Sequence, residues 1–237
     1  MGRASVITDA DTHVKKIIFH PRMLPEIALS DPALTVGLPA HITAAVGMDA
    51  LSHCLEAFFA PFYHPMARGI AVEGSRLVLE WLPAAVENGA NIEARAHMMV
   101  ASQAGATAFQ RGLGGMHALA HSLGAVYNAH HGLLNAVLMP YVLKANASVI
   151  ADDAAYLANA LGVGDNLEAL IHWVLELRKE VGIPHTLAGM DLNDSEADRI
   201  GAMAVDDPSA GGNPIQFTAD QYSHIFRCAV QGEWPEI

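Results

Sequence analysis

Charged residues are scarce in this chain of 237 residues, and cysteine is almost absent. Asp, Glu, Lys and Arg together make up 16% of the sequence, and there are two cysteines. Cys54 and Cys228 lie far apart and form no CxxC pair and no disulfide framework, which fits a reducing compartment. We therefore predict a cytoplasmic protein.

Basic residues are fewer than acidic ones, with 13 Lys and Arg against 25 Asp and Glu and a formal net charge of −12. This balance argues against nucleic acids and anionic membrane surfaces as partners. The first 16 residues also lack the continuous apolar stretch of a secretory signal. Hydrophobic residues make up 52% of the chain, which predicts a large core or a buried subunit interface, and with it a homo-oligomer such as a dimer.

No Asp, Glu, Lys or Arg occurs between Arg111 and Lys144. A membrane-spanning helix needs about 20 predominantly apolar residues, so this stretch has to be weighed as a span. It contains several glycines and six histidine and asparagine side chains that a span would disfavour: His117, His121, Asn128, His130, His131 and Asn135. A pair of buried helices around a metal explains the stretch better, and we predict no membrane association.

The chain divides by pattern into two unequal parts. Residues 1–37 contain the short β-type runs SVIT, VKKIIF and EIALSD, which Asp, Pro and Gly separate. Residues 38–237 carry apolar residues at three- and four-residue intervals, which predicts a series of helices. The predicted fold is therefore mainly α, a helical-bundle metal-binding domain at 38–237 after a short β segment at 1–37.

Four side chains form a candidate metal site: Asp49, His53, His117 and His131. Residues i and i+4 lie on the same face of a helix, so Asp49 and His53 can point at one ion. His117 and His131 can join them only if the chain turns between the two histidines, and Asn128 offers a break point, as does Gly124.

The chemistry of this set suits a divalent metal. One carboxylate and three neutral imidazoles are ligands that both Fe²⁺ and Zn²⁺ accept, and the sequence does not distinguish the two ions. Burying Asp49 without a partner would be costly, and no Lys or Arg lies between Pro39 and Pro65. His117 and His121 have the spacing of HExxH, but Ala118 stands where a metalloprotease needs its general-base Glu, so a zincin is disfavoured.

His121 lies one helical turn beyond His117 and has three candidate roles. It can be a fifth ligand, a group that hydrogen-bonds to a ligand, or a proton carrier. His130, beside His131, is interpreted as a surface residue or a group that supports a ligand. The remaining histidines are scattered and are interpreted as structural or exposed.

Three segments together resemble the iron-containing alcohol dehydrogenase family. They are LPAHITAAVGMDALSHCLEAF, AFQRGLGGMHALAHSLGAVYNAHHGLLNAVLMPYVL and the later VGIPHTL. The resemblance implies a C-terminal helical domain that holds a catalytic divalent metal, usually iron and in some members zinc. It places the family's ligands on Asp49, His53, His117 and His131, and it places His121 where it faces the nicotinamide and the substrate.

The resemblance also implies an NAD(P)-dependent reaction that interconverts a small alcohol and an aldehyde or ketone, with the metal as Lewis acid. The family's N-terminal α/β domain binds the nucleotide through a glycine-rich turn, and that turn has no counterpart in this sequence. We therefore expect residues 1–37 to be the remnant of such a domain and the dinucleotide site to be incomplete.

Two other functions were weighed against this one. A non-catalytic helical module that keeps the metal fold and acts in assembly would also carry these residues. A metal lyase like the dehydroquinate synthase relatives is disfavoured, because no Lys- and Arg-rich site for a polyanionic substrate is visible.

Overall fold

The N-terminal part of the molecule is a two-stranded antiparallel ribbon. The computed structural model describes residues 4–8, 10 and 15–237. Strand β1 (Ala4–Thr8) pairs with β2 (Lys15–Phe19) in a register that places Val6 opposite Ile17. The strands predicted from SVIT and VKKIIF are thus confirmed, except that Val14 lies outside the described residues.

The third predicted strand, EIALSD at residues 26–31, is wrong. Its side chains are exposed, and it pairs with no other strand in the part of the chain that the structure describes. Asp31 instead accepts a hydrogen bond from the backbone N–H of Ala33 at 2.9 Å and caps the 3₁₀ turn Pro32–Thr35. Pro25 and Pro32 stand on either side of the segment, and a proline cannot donate to a strand ladder.

From residue 40 onward the described chain is helical, which confirms the predicted fold class. The α-helices in chain order are α1 (Ala40–Phe59), α2 (Pro65–Glu87), α3 (Ile92–Ala108), α4 (Gly115–Tyr127), α5 (His131–Ala145), α6 (Ala147–Leu161), α7 (Leu167–Glu180), α8 (Ala197–Val205) and α9 (Ala219–Gln231). One continuous hydrophobic cluster with contributions from all nine forms the core. The division of the chain at residues 37 and 38 into two domains stays a prediction.

Helix α1 lies at the centre of the site described below, and packs against α2, α3 and α5. Two glycines allow neighbouring helices to approach it closely. A Cβ atom at Gly132 of α5 would lie 2.5 Å from the carbonyl oxygen of Ala45, and one at Gly105 of α3 would lie 2.9 Å from Cβ of His53. Since real Cβ atoms do not approach other atoms this closely, both positions require the absence of a side chain.

The chain turns between α4 and α5, as the candidate metal site requires. Asn128 ends α4 in the left-handed region with φ 53°, which asparagine tolerates better than most residues. Gly124, the other predicted break point, lies inside α4. His131 is the first residue of α5, and Nδ1 of His130 accepts a hydrogen bond from the backbone N–H of Leu133 at 3.4 Å.

Helix α5 runs through Pro140 without ending. Pro140 has no N–H, so the carbonyl group of Ala136, four residues earlier, loses its helical donor. Arg178 of α7, which is fully buried, replaces it by donating from Nη1 to the carbonyl oxygens of Ala136 at 3.3 Å and Val137 at 2.9 Å. Its Nη2 donates to Nδ1 of His185 at 2.8 Å.

We expect Arg178→Met to lower the free energy of unfolding by about 2 kcal/mol, because it leaves a buried carbonyl group without a donor. In a chain of this size the melting temperature should then fall by roughly 4–8 °C, which differential scanning calorimetry measures. Lys179→Met, at the exposed neighbouring position, is the control and should melt like the parent. Equal melting temperatures for all three proteins would contradict this role of Arg178.

No single helix in the described part of the chain is both long enough and apolar enough to cross a membrane. Helices α5 and α6 meet that test only when they are joined, and they are bent by 112° with respect to each other.

Candidate metal centre

Three of the four predicted ligands converge from two helices. Asp49 and His53 lie one turn apart on α1, and His117 lies in the first turn of α4. Their ligating atoms all lie within 4.8 Å of one another. The fourth, His131 at the start of α5, places Nε2 3.7 Å from Oδ1 of Asp49, and Nε2 of His117 lies 4.0 Å from the same oxygen.

The imidazole rings form a continuous contact series. His53 stacks on His117 with ring centroids 4.7 Å apart, and His117 contacts His131 at 5.3 Å. His131 in turn stacks on His121 at 5.2 Å with an interplanar angle of 11°. All four histidines therefore share one site, in which the side chain of His117 is 2% exposed and that of His131 is 31% exposed.

Glu56, one turn beyond His53 on α1, holds the buried end of α4. Its carboxylate accepts hydrogen bonds from the backbone N–H groups of Gly114 at 2.8 Å, Met116 at 2.6 Å and His117 at 3.4 Å. Helix α4 has no side-chain cap of its own, so this carboxylate satisfies donors that the helix leaves free and complements its positive end.

The same carboxylate orients a predicted ligand. Oε2 of Glu56 lies 2.7 Å from Nδ1 of His117. An ionised carboxylate only accepts hydrogen bonds, so Nδ1 of His117 carries a proton and Nε2 is the atom left to bind a metal. Carboxylate–histidine pairs of this kind support ligands in many metal sites.

Asn135, one turn beyond His131 on α5, lies between the predicted ligands and is fully buried. Its Nδ2 atom lies 2.8 Å from Oδ1 of Asp49, 3.3 Å from Nε2 of His117 and 3.2 Å from Nε2 of His131. An amide nitrogen has two protons, so it can donate to at most two of these three atoms. A cation bound among them would complement the carboxylate of Asp49.

The pKa shifts of His53 and Asp49 also favour a cation. Burial and the neighbouring His117 lower the pKa of His53 to about 4, so this imidazole is neutral at physiological pH, as a ligand must be. Burial raises the pKa of Asp49, but the neighbouring histidines, His53 first, lower it by more, and the net pKa lies below the ordinary value. Burial lowers the pKa of His117, whereas Glu56 raises it by more.

The donor set fits a divalent metal. In a tetrahedral site with bonds of about 2.0–2.1 Å, neighbouring donor atoms lie about 3.3–3.4 Å apart. The separations of 3.7 and 4.0 Å that join Asp49 to His131 and His117 are slightly longer, so small side-chain movements would close the site. The mixture of imidazole nitrogens with one carboxylate oxygen suits iron and zinc alike.

His121 lies beside this set and has a carboxylate partner of its own. Nδ1 of His121 lies 2.9 Å from Oδ2 of Asp207, in the loop that follows α8. The two side chains are 14% and 13% exposed. A cavity of about 280 Å³ adjoins them and is lined by His121, Ser122, Ala125, Met203, Asp206, Asp207 and Pro208.

Three residues of the site were not identified from the sequence. Glu56 could have been found, because it is an acidic residue in an apolar helix without nearby Lys or Arg, the argument that identified Asp49. Asn135 lies four residues after His131 and shares its helical face. Asp207 had no local signal, since 86 residues separate it from His121.

The family comparison covers most of the chain. Residues 43–230 match the model of the C-terminal region of the Fe-containing alcohol dehydrogenase family. A 4-hydroxybutyrate dehydrogenase of Cupriavidus necator is 40% identical over 221 residues, covering 89% of this chain and 58% of that protein. An NAD-dependent methanol dehydrogenase of Bacillus methanolicus is 34% identical over 236 residues, covering 95% of this chain and 61% of that protein.

The fold comparison agrees. The crystal structure of a 1,3-propanediol oxidoreductase superposes with a TM-score of 0.93 at 35% identity, covering 96% of this chain and 62% of that one. This chain thus spans about three fifths of the length of the proteins it matches. From the matched residues and the shared fold, we conclude that the chain belongs to the iron-containing alcohol dehydrogenase family.

Proposed function

We propose that Asp49, His53, His117 and His131 hold one Fe²⁺ or Zn²⁺, and that this chain is the metal-binding catalytic domain of an NAD(P)-dependent alcohol dehydrogenase. The observation that carries the proposal is the convergence of these four donors from three helices, with Glu56 holding Nδ1 of His117. Family membership supports the reaction class, and the NAD-dependent methanol dehydrogenase among the relatives supports the cofactor.

The two absent groups would supply the bond-breaking chemistry. Asp49, His53, His117 and His131 would hold a divalent ion, which would supply Lewis acidity toward the oxygen of an alcohol or carbonyl substrate. Bound NAD(P)⁺ would supply the hydride acceptor, and the hydroxyl proton would have to leave separately. The protein must therefore fix the position of the substrate and provide an acceptor for that proton.

His121 is the residue we propose for proton transfer and for contact with the nicotinamide. Its ring stacks on His131, so it lies next to a proposed ligand without being needed in the four-ligand set. It is also partly accessible from the cavity of about 280 Å³ described above. An imidazole at this place can accept the hydroxyl proton during oxidation and return it during reduction.

The proposal includes a small alcohol or aldehyde as substrate, a homodimer and a cytoplasmic location. The names of the relatives indicate small alcohols. Tyr63 lies between α1 and α2 and is 93% exposed, and Met66 lies at the start of α2 and is 74% exposed. Both side chains offer apolar surface for a second subunit. The two isolated cysteines, both free and buried, support a reducing compartment.

Metal loading followed by nucleotide titration tests the proposal. The chain, loaded anaerobically with Fe²⁺ or separately with Zn²⁺ and then desalted, is expected to retain about one equivalent of metal by mass spectrometry of the element. NADH and NADPH are then titrated while their fluorescence is recorded. Saturable binding, together with NAD(P)⁺ reduction by 1,3-propanediol, 4-hydroxybutyrate or methanol, would support dehydrogenase activity in this chain.

Two other outcomes separate the alternatives. Stoichiometric metal without nucleotide binding would show that these residues form a metal-holding module, the non-catalytic function considered above. Failure to retain either metal would overturn the proposed centre itself.

A further inference from the structure

We propose that Asp207 is a positioning residue that keeps the proton of His121 on Nδ1, and so leaves the lone pair of Nε2 free to accept the substrate's proton. The inference deepens the proposed function and rests on it, because it assigns how the imidazole is prepared for proton transfer.

Both oxygens of the Asp207 carboxylate have a defined partner. Oδ2 lies 2.9 Å from Nδ1 of His121, and Oδ1 accepts a hydrogen bond from the backbone N–H of Ser209 at 2.8 Å. Burial raises the pKa of Asp207, but the hydrogen bonds from His121 and Ser209 lower it by more, so the carboxylate is ionised at neutral pH. The hydrogen bond from Ser209 thus holds the carboxylate of Asp207 in place independently of His121.

The contact determines which nitrogen of His121 carries the proton. An ionised carboxylate is an acceptor only, so a hydrogen bond at 2.9 Å requires a proton on Nδ1 of His121. In a neutral imidazole Nε2 is then the unprotonated nitrogen. A 180° flip of the ring would replace Nδ1 with the Cδ2–H group and lose the hydrogen bond to Asp207, so this contact also sets the orientation of the ring.

This arrangement suits the reaction proposed for the site. Oxidation of an alcohol releases one hydride to NAD(P)⁺ and one proton from the hydroxyl group, and that proton needs an acceptor with a free lone pair. The opposite tautomer would present an N–H at Nε2 and could not accept the proton. In this role Asp207 acts through His121.

Asp207→Asn separates this role from a purely structural one. The N–H of Ser209 can only donate, so the single amide oxygen of asparagine must face Ser209 to keep the loop intact. The NH₂ group then faces Nδ1 of His121 and requires a lone pair there, which moves the proton to Nε2. Asp207→Asn thus keeps the side-chain shape and the hydrogen bond to Ser209, but it inverts the tautomer of His121.

Nitrogen NMR of the histidine side chains reads this inversion directly. The chain is labelled with ¹⁵N-histidine, and two-bond ¹H–¹⁵N spectra are recorded at about pH 8.5, roughly two units above the ordinary histidine pKa. Spectra are taken with and without Zn²⁺, and His121→Asn identifies the signals of His121. The parent should show a protonated Nδ1, Asp207→Asn should show a protonated Nε2, and both should keep the same fold by circular dichroism.

Asp206→Asn is the matched control, because Asp206 is exposed, lines the same cavity and makes no hydrogen bond to His121 among the described contacts. It removes the same charge and should leave the tautomer of His121 unchanged. If Asp207→Asn keeps the proton on Nδ1, or if Asp206→Asn inverts the tautomer as well, the inference is overturned.

A kinetic measurement distinguishes this inference from the proposed function. If the chain oxidises alcohols, Asp207→Asn should lower kcat about 100-fold with little change in KM, and Asp152→Asn, at an exposed position of α6 outside the cavity, should have no effect. An inverted tautomer in a chain that neither binds NAD(P)H nor oxidises alcohols would uphold the hydrogen-bond geometry and reject the proposed function. An inverted tautomer with unchanged kcat would reject the role of Asp207 in catalysis.

Discussion

Replacement of Asp49 with alanine is expected to abolish stoichiometric metal retention. Asp49 supplies the anionic member of the proposed ligand set, and its Oδ1 atom lies within 4.0 Å of Nε2 of both His117 and His131. Loss of a group that supports a ligand costs about 10- to 100-fold in metal affinity. Loss of the carboxylate itself should therefore cost more than about 100-fold, measured by competition with a chromophoric chelator.

Thermal unfolding gives a second measurement of the same effect. At a Zn²⁺ concentration of about 100 times the dissociation constant, the metal should stabilise the parent by about 2.7 kcal/mol. For a chain of this length the melting temperature should rise by roughly 5–10 °C. Asp49→Ala should show no such rise, whereas the control Asp152→Ala, at an exposed carboxylate of α6, should respond like the parent.

An Asp49→Ala protein that retains one equivalent of metal with parental affinity would show that the site is elsewhere. His131→Ala extends the test to the fourth proposed ligand. If only Asp49→Ala loses the metal, the ion is held by Asp49, His53 and His117, the three residues whose ligating atoms lie within 4.8 Å of one another.

Glu56→Gln is expected to destabilise the fold as well as the metal site. Each carboxylate oxygen of Glu56 accepts at least one backbone N–H at the start of α4, so either orientation of a glutamine places NH₂ against a donor. Removing one partner of a buried charged group costs about 3–5 kcal/mol. We expect the melting temperature of the metal-free chain to fall by at least about 6 °C.

The metal affinity of Glu56→Gln should fall separately, by about 10- to 100-fold, because Nδ1 of His117 loses its carboxylate partner. Glu176→Gln, at an exposed position of α7, is the control for the change of charge and should match the parent in both measurements. A Glu56→Gln protein with parental stability and affinity would mean that the carboxylate neither caps α4 nor supports His117.

Local pattern was sufficient to predict the helical fold, but not every strand. Apolar spacing identified the helices from residue 40 onward, because each buries one face in a common core. EIALSD has the composition of a strand, yet it lies between prolines and has no ladder partner among the described residues. Strand formation depends on a second segment at the right place, and composition alone does not report it.

Some residues of the site could likewise be predicted from local sequence, and others only from the complete fold. The pairing of Asp49 with His53 follows from helical spacing, and the turn between His117 and His131 could be anticipated from Asn128. Asp207 lies in a loop whose position depends on how α8 packs against α4 and α9. A contact between residues so far apart in sequence depends on the complete fold, and no local rule would have found it.

Gly132 links the distance between α1 and α5 to the geometry of the proposed metal site. It follows His131 directly, and the space for a side chain at this position is occupied by the backbone of α1 at Ala45. The separation of α5 from α1 is therefore set by backbone contact, and with it the reach of His131 toward Asp49. Any side chain at residue 132 would push α5 away from α1 and carry His131 away from Asp49.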